Sequence, residues 1–412
     1  MCKSCRYRAT WFPVAALFTA IFGLGQMQSL CLAANHMAHS HHPRHNQSRS
    51  TSTFLYSVYD NTGEANNETL AQLIANENKP NISIFRLRRD GSLVSVPLRY
   101  NPKAFSSGYA GTVNSLTASP DGRFLIAECQ NTHEDNYSPI FLQYRIQPDG
   151  QIKPYARFSG PTLGGRSLVF HPSGRYAYLS CPDPSPTQSG PGTIAEFHVT
   201  SAGDILYPPF ATVPCSPKPS ALALDSQGRV GAVVDADSGF VWQYTLTPQG
   251  RLVPANPPSV PVARAFTALM AGNGQSLYVP SQQSRERYRM YQLRRNSGGG
   301  FSLLMPWAIR LPGVIWSVVV SNKRRLMYVS SGGKLLLFHI SPQGTLQQSH
   351  YSLSTKVGLN LAVDEATGYL YVMGLYNFLH TYRIGQDGKL SAVGKHPIHV
   401  NLRLSHLTIV HR

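Results

Sequence analysis

The chain has 412 residues, 42% of them apolar and 14% charged, enough to bury a sizeable core in one large all-β domain or two to three ordinary ones. Its 34 Gly and 30 Pro argue against long helices and suit many short strands joined by tight turns. Lys and Arg number 37 against 20 Asp and Glu, a formal net charge of +17, which favours anionic partners and attracts nucleic acid only non-specifically.

In chain order, Lys3, Arg6 and Arg8 precede an apolar run from Trp11 to Gly25 that is too short to span a bilayer comfortably. Small residues follow, with cleavage expected near Ala33 or Ala34, so residues 1–34 read as a secretory signal peptide. The mature chain is then periplasmic or extracellular, with no transmembrane span. Leu30 stands where a small residue should precede a lipidated Cys31, which argues against a lipid anchor. Residues 35–52 hold His36, His39, His41, His42 and His45 among Asn, Ser and Arg. With nothing apolar to fold it, this stretch is expected to be a disordered linker without the fixed geometry a metal needs. Cys2, Cys5 and Cys31 belong to the leader, leaving Cys129, Cys181 and Cys215. An odd number in an oxidising compartment implies at least one free thiol or an intermolecular bond.

From residue 53 to 412 one unit recurs at roughly 43 to 54 residues, the period of propeller blades. Its first half is an apolar strand, a tight turn and a second apolar strand, as in Leu116 to Cys129 (LTASPDGRFLIAEC) and Leu168 to Cys181 (LVFHPSGRYAYLSC). Further copies start at Leu222, Ala268, Val318 and Leu361. Its second half alternates in polarity around another tight turn, as in QYRIQPDGQI from Gln143 and TYRIGQDGKL from Thr381. Seven second halves occur but only six complete first halves. The missing one is split: FLYSVY (54–59) opens the repeat region and LSHLTIV (404–410) closes it. Joining them predicts an all-β, seven-bladed β-propeller with four-stranded blades, closed by the C-terminal strand pairing with the N-terminal ones. Six or eight blades do not fit the count. The one short helical signal, Glu68 to Ala75, falls in a loop.

Within each blade the first–second and third–fourth turns are short, whereas several second–third loops are long, at 60–80, 130–140, 182–193 and 282–288. Long loops gathered at one end of a rigid scaffold are where binding groups usually sit. That end offers Arg166, Glu128, Asp183 and Asp235 as candidate catalytic residues, and Asn114, Ser167, Asn360 and His406 as candidate ligand-binding ones. Cys129 and Cys181 occupy equivalent positions in adjacent blades and are expected to be buried, inert thiols. Asp235 to Gly239 lacks the downstream bidentate Glu of a calcium loop, so no metal is assigned. No Gly-rich phosphate loop, nucleophile elbow or metal-ligand spacing is present, and no cofactor is expected.

The stretch GGRSLVFHPSGRYAYLSC, from Gly164 to Cys181, resembles the Arg-His-x-x-Phe-His-Pro-x-Gly-x-x-x-Tyr segment of the seven-bladed lactonase family, which includes 6-phosphogluconolactonases. The resemblance implies a propeller fold and a lactone site built from an Arg, a Glu, a His of the preceding blade and an Arg of the following blade. Arg166 matches the first Arg, while Ser167 replaces the His beside it. The Glu position falls at Pro182, next to Asp183; the His position at Asn114 or Ser115; the second Arg near Ala236. With one of these four site positions matched, the expected function is binding of a small anionic ligand or a protein on the long-loop face, by a monomer, without turnover. The alternatives are a hydrolase opening an extracellular lactone or anionic sugar lactone, and a cell-surface assembly module.

Overall fold

The computed structural model describes residues 52–59, 82–99, 113–130, 139–159, 167–183, 190–235, 237–284, 287–354, 358–374, 378–394, 397–399 and 404–412. At some strand ends, Asn114, Cys129 and His406 among them, the backbone alone is described. The leader, the His-rich tract and Glu68 to Ala75 lie outside these residues.

The described residues form strands without a helix, in seven antiparallel sheets. Blade 1 is composite, with β29 (Leu404–His411), β1 (Thr53–Tyr59), β2 (Ile82–Leu87) and β3 (Leu93–Val96) in that spatial order. Blade 2 is β4 (Val113–Ala118), β5 (Phe124–Gln130), β6 (Pro139–Ile146) and β7 (Ile152–Ser159). Blade 3 is β8 (Ser167–Phe170), β9 (Tyr176–Cys181), β10 (Gly192–His198) and β11 (Ala211–Cys215). Blade 4 is β12 (Ala221–Leu224), β13 (Val230–Asp235), β14 (Phe240–Leu246) and β15 (Leu252–Pro261). Blade 5 is β16 (Leu269–Met270), β17 (Ser276–Ser284), β18 (Arg287–Arg295) and β19 (Phe301–Leu311). Blade 6 is β20 (Ile315–Ser321), β21 (Leu326–Ser331), β22 (Lys334–Ile340) and β23 (Leu346–Ser354). Blade 7 is β24 (Gly358–Asp364), β25 (Tyr369–Gly374), β26 (Phe378–Ile384) and β27 (Leu390–Ala392), with β28 (Ile398–His399) also pairing β26.

The innermost strand of each blade touches the innermost strand of the next, and β24 and β4 both touch β29, which closes the ring. Closure follows the predicted pairing of the two ends, in the register Thr53 with His411, Leu55 with Ile409 and Ser57 with Leu407. The core is correspondingly segmented, one apolar layer between each pair of blades. Ile126 and Phe141 of blade 2, for example, pack on Leu168, Ala177 and Leu179 of blade 3.

The tight turns fix the face opposite the long loops. In blade 2 Gly122 N–H donates to Ser119 O at 2.9 Å and Gly150 N–H to Gln147 O at 2.9 Å. Gly150 sits at φ +83°, and a Cβ there would run into the Phe54 ring of blade 1, so the turn conformation and the approach of the neighbouring blade both require glycine.

Two recurrent bonds tie blade to blade on this turn face. A buried tyrosine recurs in the second strand of five blades (Tyr56, Tyr178, Tyr278, Tyr328 and Tyr371), and in four of them its hydroxyl donates to the turn glycine carbonyl of the next blade. Tyr56 reaches Gly150 and Tyr178 reaches Gly250, each at 2.8 Å; Tyr278 reaches Gly344 and Tyr328 reaches Gly388, each at 2.7 Å. A polar residue in mid third strand makes the second bond. Glu196 accepts from Leu252 N–H at 2.9 Å and Gln292 from Leu346 N–H at 2.7 Å, while Gln243 accepts from Phe301 N–H. In blade 2, where Ile126 takes the tyrosine position, Gln143 donates to Gly203 O at 2.6 Å.

Candidate functional site

At the long-loop end the second strands deliver their last residues beside the starts of the first strands. Side chains directly opposite in an antiparallel pair share a face, as do residues two apart along a strand. Ser115 pairs with Glu128 and Thr117 with Ile126, so all four point the same way. Thr117 donates to Leu168 O at 3.1 Å and Ile126 packs in the layer shared with blade 3. Glu128 is therefore a carboxylate wedged between blades 2 and 3. It is 1% exposed and accepts from the Ser115 hydroxyl at 2.8 Å. The strand it faces begins at Ser167, one residue after Arg166, which itself lies outside the described residues.

Ser167 is buried and its hydroxyl accepts from Leu222 N–H of blade 4 at 3.2 Å. Ser317 does the same for Leu361 N–H at 3.1 Å. Hydroxyls at this strand position thus carry backbone bonds between neighbouring first strands. Asn360 is buried at the equivalent place in β24, and β29, which carries His406, is its neighbour in the ring.

Asp183 and Asp235 meet on either side of one connection, Ser216 to Pro219, which leads from blade 3 into blade 4. Asp183 N–H donates to Pro217 O at 2.9 Å, and the Asp235 carboxylate accepts from Lys218 N–H at 3.0 Å. The Asp235 carboxylate also accepts from Asp237 N–H at 2.8 Å and Ser238 N–H at 3.0 Å, closing the turn after its own strand. Asp183, also buried, accepts from Gly190 N–H at 2.6 Å and so closes its long loop. Outside this pair, Lys218 Nζ meets Asp237 at 3.2 Å on the surface.

Cys181 and Cys215 are free and buried. They pair with adjacent residues of β10, Thr193 and Gly192, so they point to opposite faces of blade 3. Cys181 packs in the layer with blade 2 and Cys215 in the layer with blade 4, which leaves no path to a bridge. Burial, with smaller contributions from Cys181 and Asp235, pushes the Cys215 thiol far up, the signature of an inert cysteine. The Cys129 side chain lies outside the described set.

The structure thus gathers the sequence candidates into two groups, Glu128 with Ser115 against blade 3, and Asp183 with Asp235 around residues 216–219. Asn360 lies on a different part of the ring. Among the described residues, no group of three or more His, Cys, Asp or Glu side chains could hold a metal ion. No described helix is long and apolar enough to cross a membrane. The sequence reading missed the ladder of tyrosines and mid-strand Gln or Glu between blades. Its signal was present as Tyr56, Tyr178, Tyr278 and Tyr328 at one repeat position and Gln143, Glu196, Gln243 and Gln292 at another.

No family model and no curated protein matches the sequence. Among solved structures the chain is similar to a candidate 6-phosphogluconolactonase from Bacteroides fragilis, with a TM-score of 0.65 and 15% identity over 89% of this chain and 100% of that one. The periplasmic gluconolactonase of Pseudomonas aeruginosa superposes with a TM-score of 0.64 and 16% identity over 87% of this chain and 99% of that one. A candidate 6-phosphogluconolactonase from Bacteroides uniformis gives a TM-score of 0.64 and 14% identity over 87% and 99%. At such identities the likeness is one of fold: this chain has the seven-bladed architecture of the 6-phosphogluconolactonase-like propellers.

Proposed function

We propose that this chain is an exported, monomeric propeller of lactonase-like fold that holds a small anionic ligand at its long-loop mouth without turning it over. The observation that carries this reading is the condition of the candidate carboxylates. Opening a lactone with water needs a general base within reach of the water and a group to stabilise the developing oxyanion. Asp235 spends its oxygens on three backbone N–H groups, and Asp183 accepts from Gly190 N–H to pin its loop. Both serve the backbone of the mouth. Arg166, with Asn114, Ser167, Asn360 and His406 around the ring, would supply the charge and hydrogen bonds that hold an anion.

Titrating gluconate and 6-phosphogluconate into the purified chain tests this. Arg166→Ala is expected to weaken binding at least tenfold, while Gln249→Glu on the turn face leaves it unchanged; equal effects from both would refute a mouth site.

A second reading, hydrolysis of an extracellular lactone, is favoured by Glu128. It is a buried carboxylate bonded to Ser115 and facing the strand that follows Arg166, and a structurally similar protein is a periplasmic gluconolactonase. In that reading Glu128 takes the proton of the attacking water and Arg166 stabilises the oxyanion.

Export rests on Lys3, Arg6, Arg8 and the apolar run behind them, with residues 1–34 as leader, 35–52 as linker and 53–412 as propeller. N-terminal sequencing of the exported chain should begin near residue 34 or 35; an intact Met1 would overturn that boundary. Light scattering of the purified chain should give a monomer mass, and a dimer would contradict the monomer assignment.

A further inference from the structure

Two clefts of about 600 Å³ open on the described surface, a volume suited to a small ligand. Their electrostatics differ. The first lies on the turn face at blades 2 and 3, where Arg123 is already paired with Asp121 at 2.5 Å and donates to Ser201 O at 2.7 Å. Its Arg123 is thus spent within the protein, and Asp121 sets a carboxylate in the wall that also holds the exposed Arg175. The second lies on the flank of the disc between the outer parts of blades 5 and 6, across the ring from Glu128. Its wall carries Arg310, Lys334 and His350, all exposed, together with Gln348, Ser349 and Ser352. Its lining includes no carboxylate.

Strand register explains how these groups converge. Leu336 pairs with Ser352 and Lys334 with Ser354, and the register then shifts between Leu336 and Phe338 before Phe338 pairs with Gln348. Leu336 and Phe338 face the layer shared with blade 5, so Lys334, Gln348 and Ser352 face blade 5 too. The bulge places Ser349 and His350 between them. Arg310, Leu311 and Pro312 close the cleft from the end of blade 5. The segment after them is pinned to blade 6: Ser331 Oγ donates to Gly313 O at 2.7 Å and accepts from Gly313 N–H at 3.3 Å. A Cβ on Gly313 would come within 2.8 Å of the Gly332 Cα, so two backbones are in direct contact beneath the cleft.

We propose that this flank cleft binds an acidic saccharide, its Arg310 and Lys334 taking an oxyanion and its serine hydroxyls and Gln348 amide hydrogen-bonding the ring hydroxyls. Among the described residues neither Arg310 nor Lys334 has a carboxylate partner. Two cations left unneutralised beside a ring N–H donor and several hydroxyl and amide groups suit a ligand that is both anionic and polyhydroxylated. A sulfate ester and a uronate carboxylate present the same oxyanion chemistry.

Calorimetric titration with three disaccharides tests the proposal: one sulfated, one of uronic acids, one neutral. Lys334→Glu and Arg310→Glu are the cleft variants, and Arg89→Glu on the turn face makes the same charge change elsewhere. At least one charged disaccharide should bind, the tighter of the two naming the oxyanion, and the neutral one should not. Each cleft variant should weaken binding tenfold or more, and Arg89→Glu less than twofold. Melting temperatures within a few degrees of the parent chain confirm that the variants are folded. The proposal is overturned if neither charged disaccharide binds, if the neutral one binds equally, if binding survives the cleft variants, or if Arg89→Glu weakens it as much as they do.

Discussion

Among single residues, Glu196 is the one whose role is best defined by its neighbours around the ring. Gln243 and Gln292 occupy the same place in blades 4 and 5 and accept the same kind of backbone N–H bond. Glu196 does this as an acid, with Arg251 Nε at 2.9 Å from its other oxygen. Burial raises its carboxyl above the ordinary range, against the lowering pull of Leu252 N–H and Arg251. A group raised in the folded state contributes stability below its unfolded pKa and loses it as pH rises through the folded one. At neutral pH the buried charge is therefore a cost, and Glu196→Gln keeps the bond to Leu252 while removing it. Arg251 is half exposed and keeps its hydration when the partner charge is lost, so the substitution strands no buried cation. Chemical denaturation at pH 7.5 should find the variant as stable as the parent or up to about 1 kcal/mol more so; a loss of more than about 1 kcal/mol would mean that the Arg251 pair outweighs the cost of burial.

At the level of strands and turns, the repeat was legible because its halves carry period-two apolar patterns punctuated by turn glycines such as Gly122, Gly150 and Gly174. What links one blade to the next is marked more faintly, because a bond such as Tyr278 to Gly344 joins residues 66 apart in sequence and shows only as a tyrosine recurring at one repeat position. Tyr278→Phe removes that hydroxyl while keeping the ring, and Gly344 O then loses a buried donor. Such a loss costs roughly 1 kcal/mol, so the denaturation midpoint should fall accordingly; an unchanged midpoint would mean that the bond contributes nothing net. The candidate mouth was half legible for a related reason. Glu128 and Asp235 end recognisable strands, so their place was predictable. Their tasks depended on partners supplied by other elements, the Ser115 hydroxyl and the Lys218 backbone. Asp235, expected as a catalytic candidate, clasps two backbone segments.

For the whole molecule, the decisive feature is closure of a ring from the two ends of the repeat region. The β1–β29 pairing is reinforced where the strand ends. His411 Nε2 lies 3.2 Å from the buried Asp364 carboxylate of blade 7, its Nδ1 lies 3.0 Å from Thr53 Oγ1, and Arg412 and Ser52 exchange backbone bonds at 2.5 and 2.7 Å. Burial works to raise the Asp364 carboxyl, but His411 and Thr367 outweigh it and hold the group below the usual carboxylate range. A lowered carboxylate contributes stability above its unfolded pKa of about 3.9 and loses it as pH falls through the folded value. Asp364→Asn should therefore cost roughly 2 kcal/mol at pH 6, and the gap to the parent chain should shrink as pH falls below about 4. Thermal melts across that range check this, and a gap that stays constant with pH would deny the Asp364 carboxylate and its contact with His411 a part in closure.

The reading of the long-loop mouth as a place that binds but does not turn over is tested most directly by lactone hydrolysis. The purified chain would be offered phosphorylated and unphosphorylated sugar lactones, with Arg166→Ala and Glu128→Gln as controls and opening followed by acid release. The binding reading predicts rates no faster than spontaneous opening for every lactone and every variant. Rapid opening of any one of them by the parent chain, lost in both variants, would contradict it and make Glu128 and Arg166 the catalytic pair.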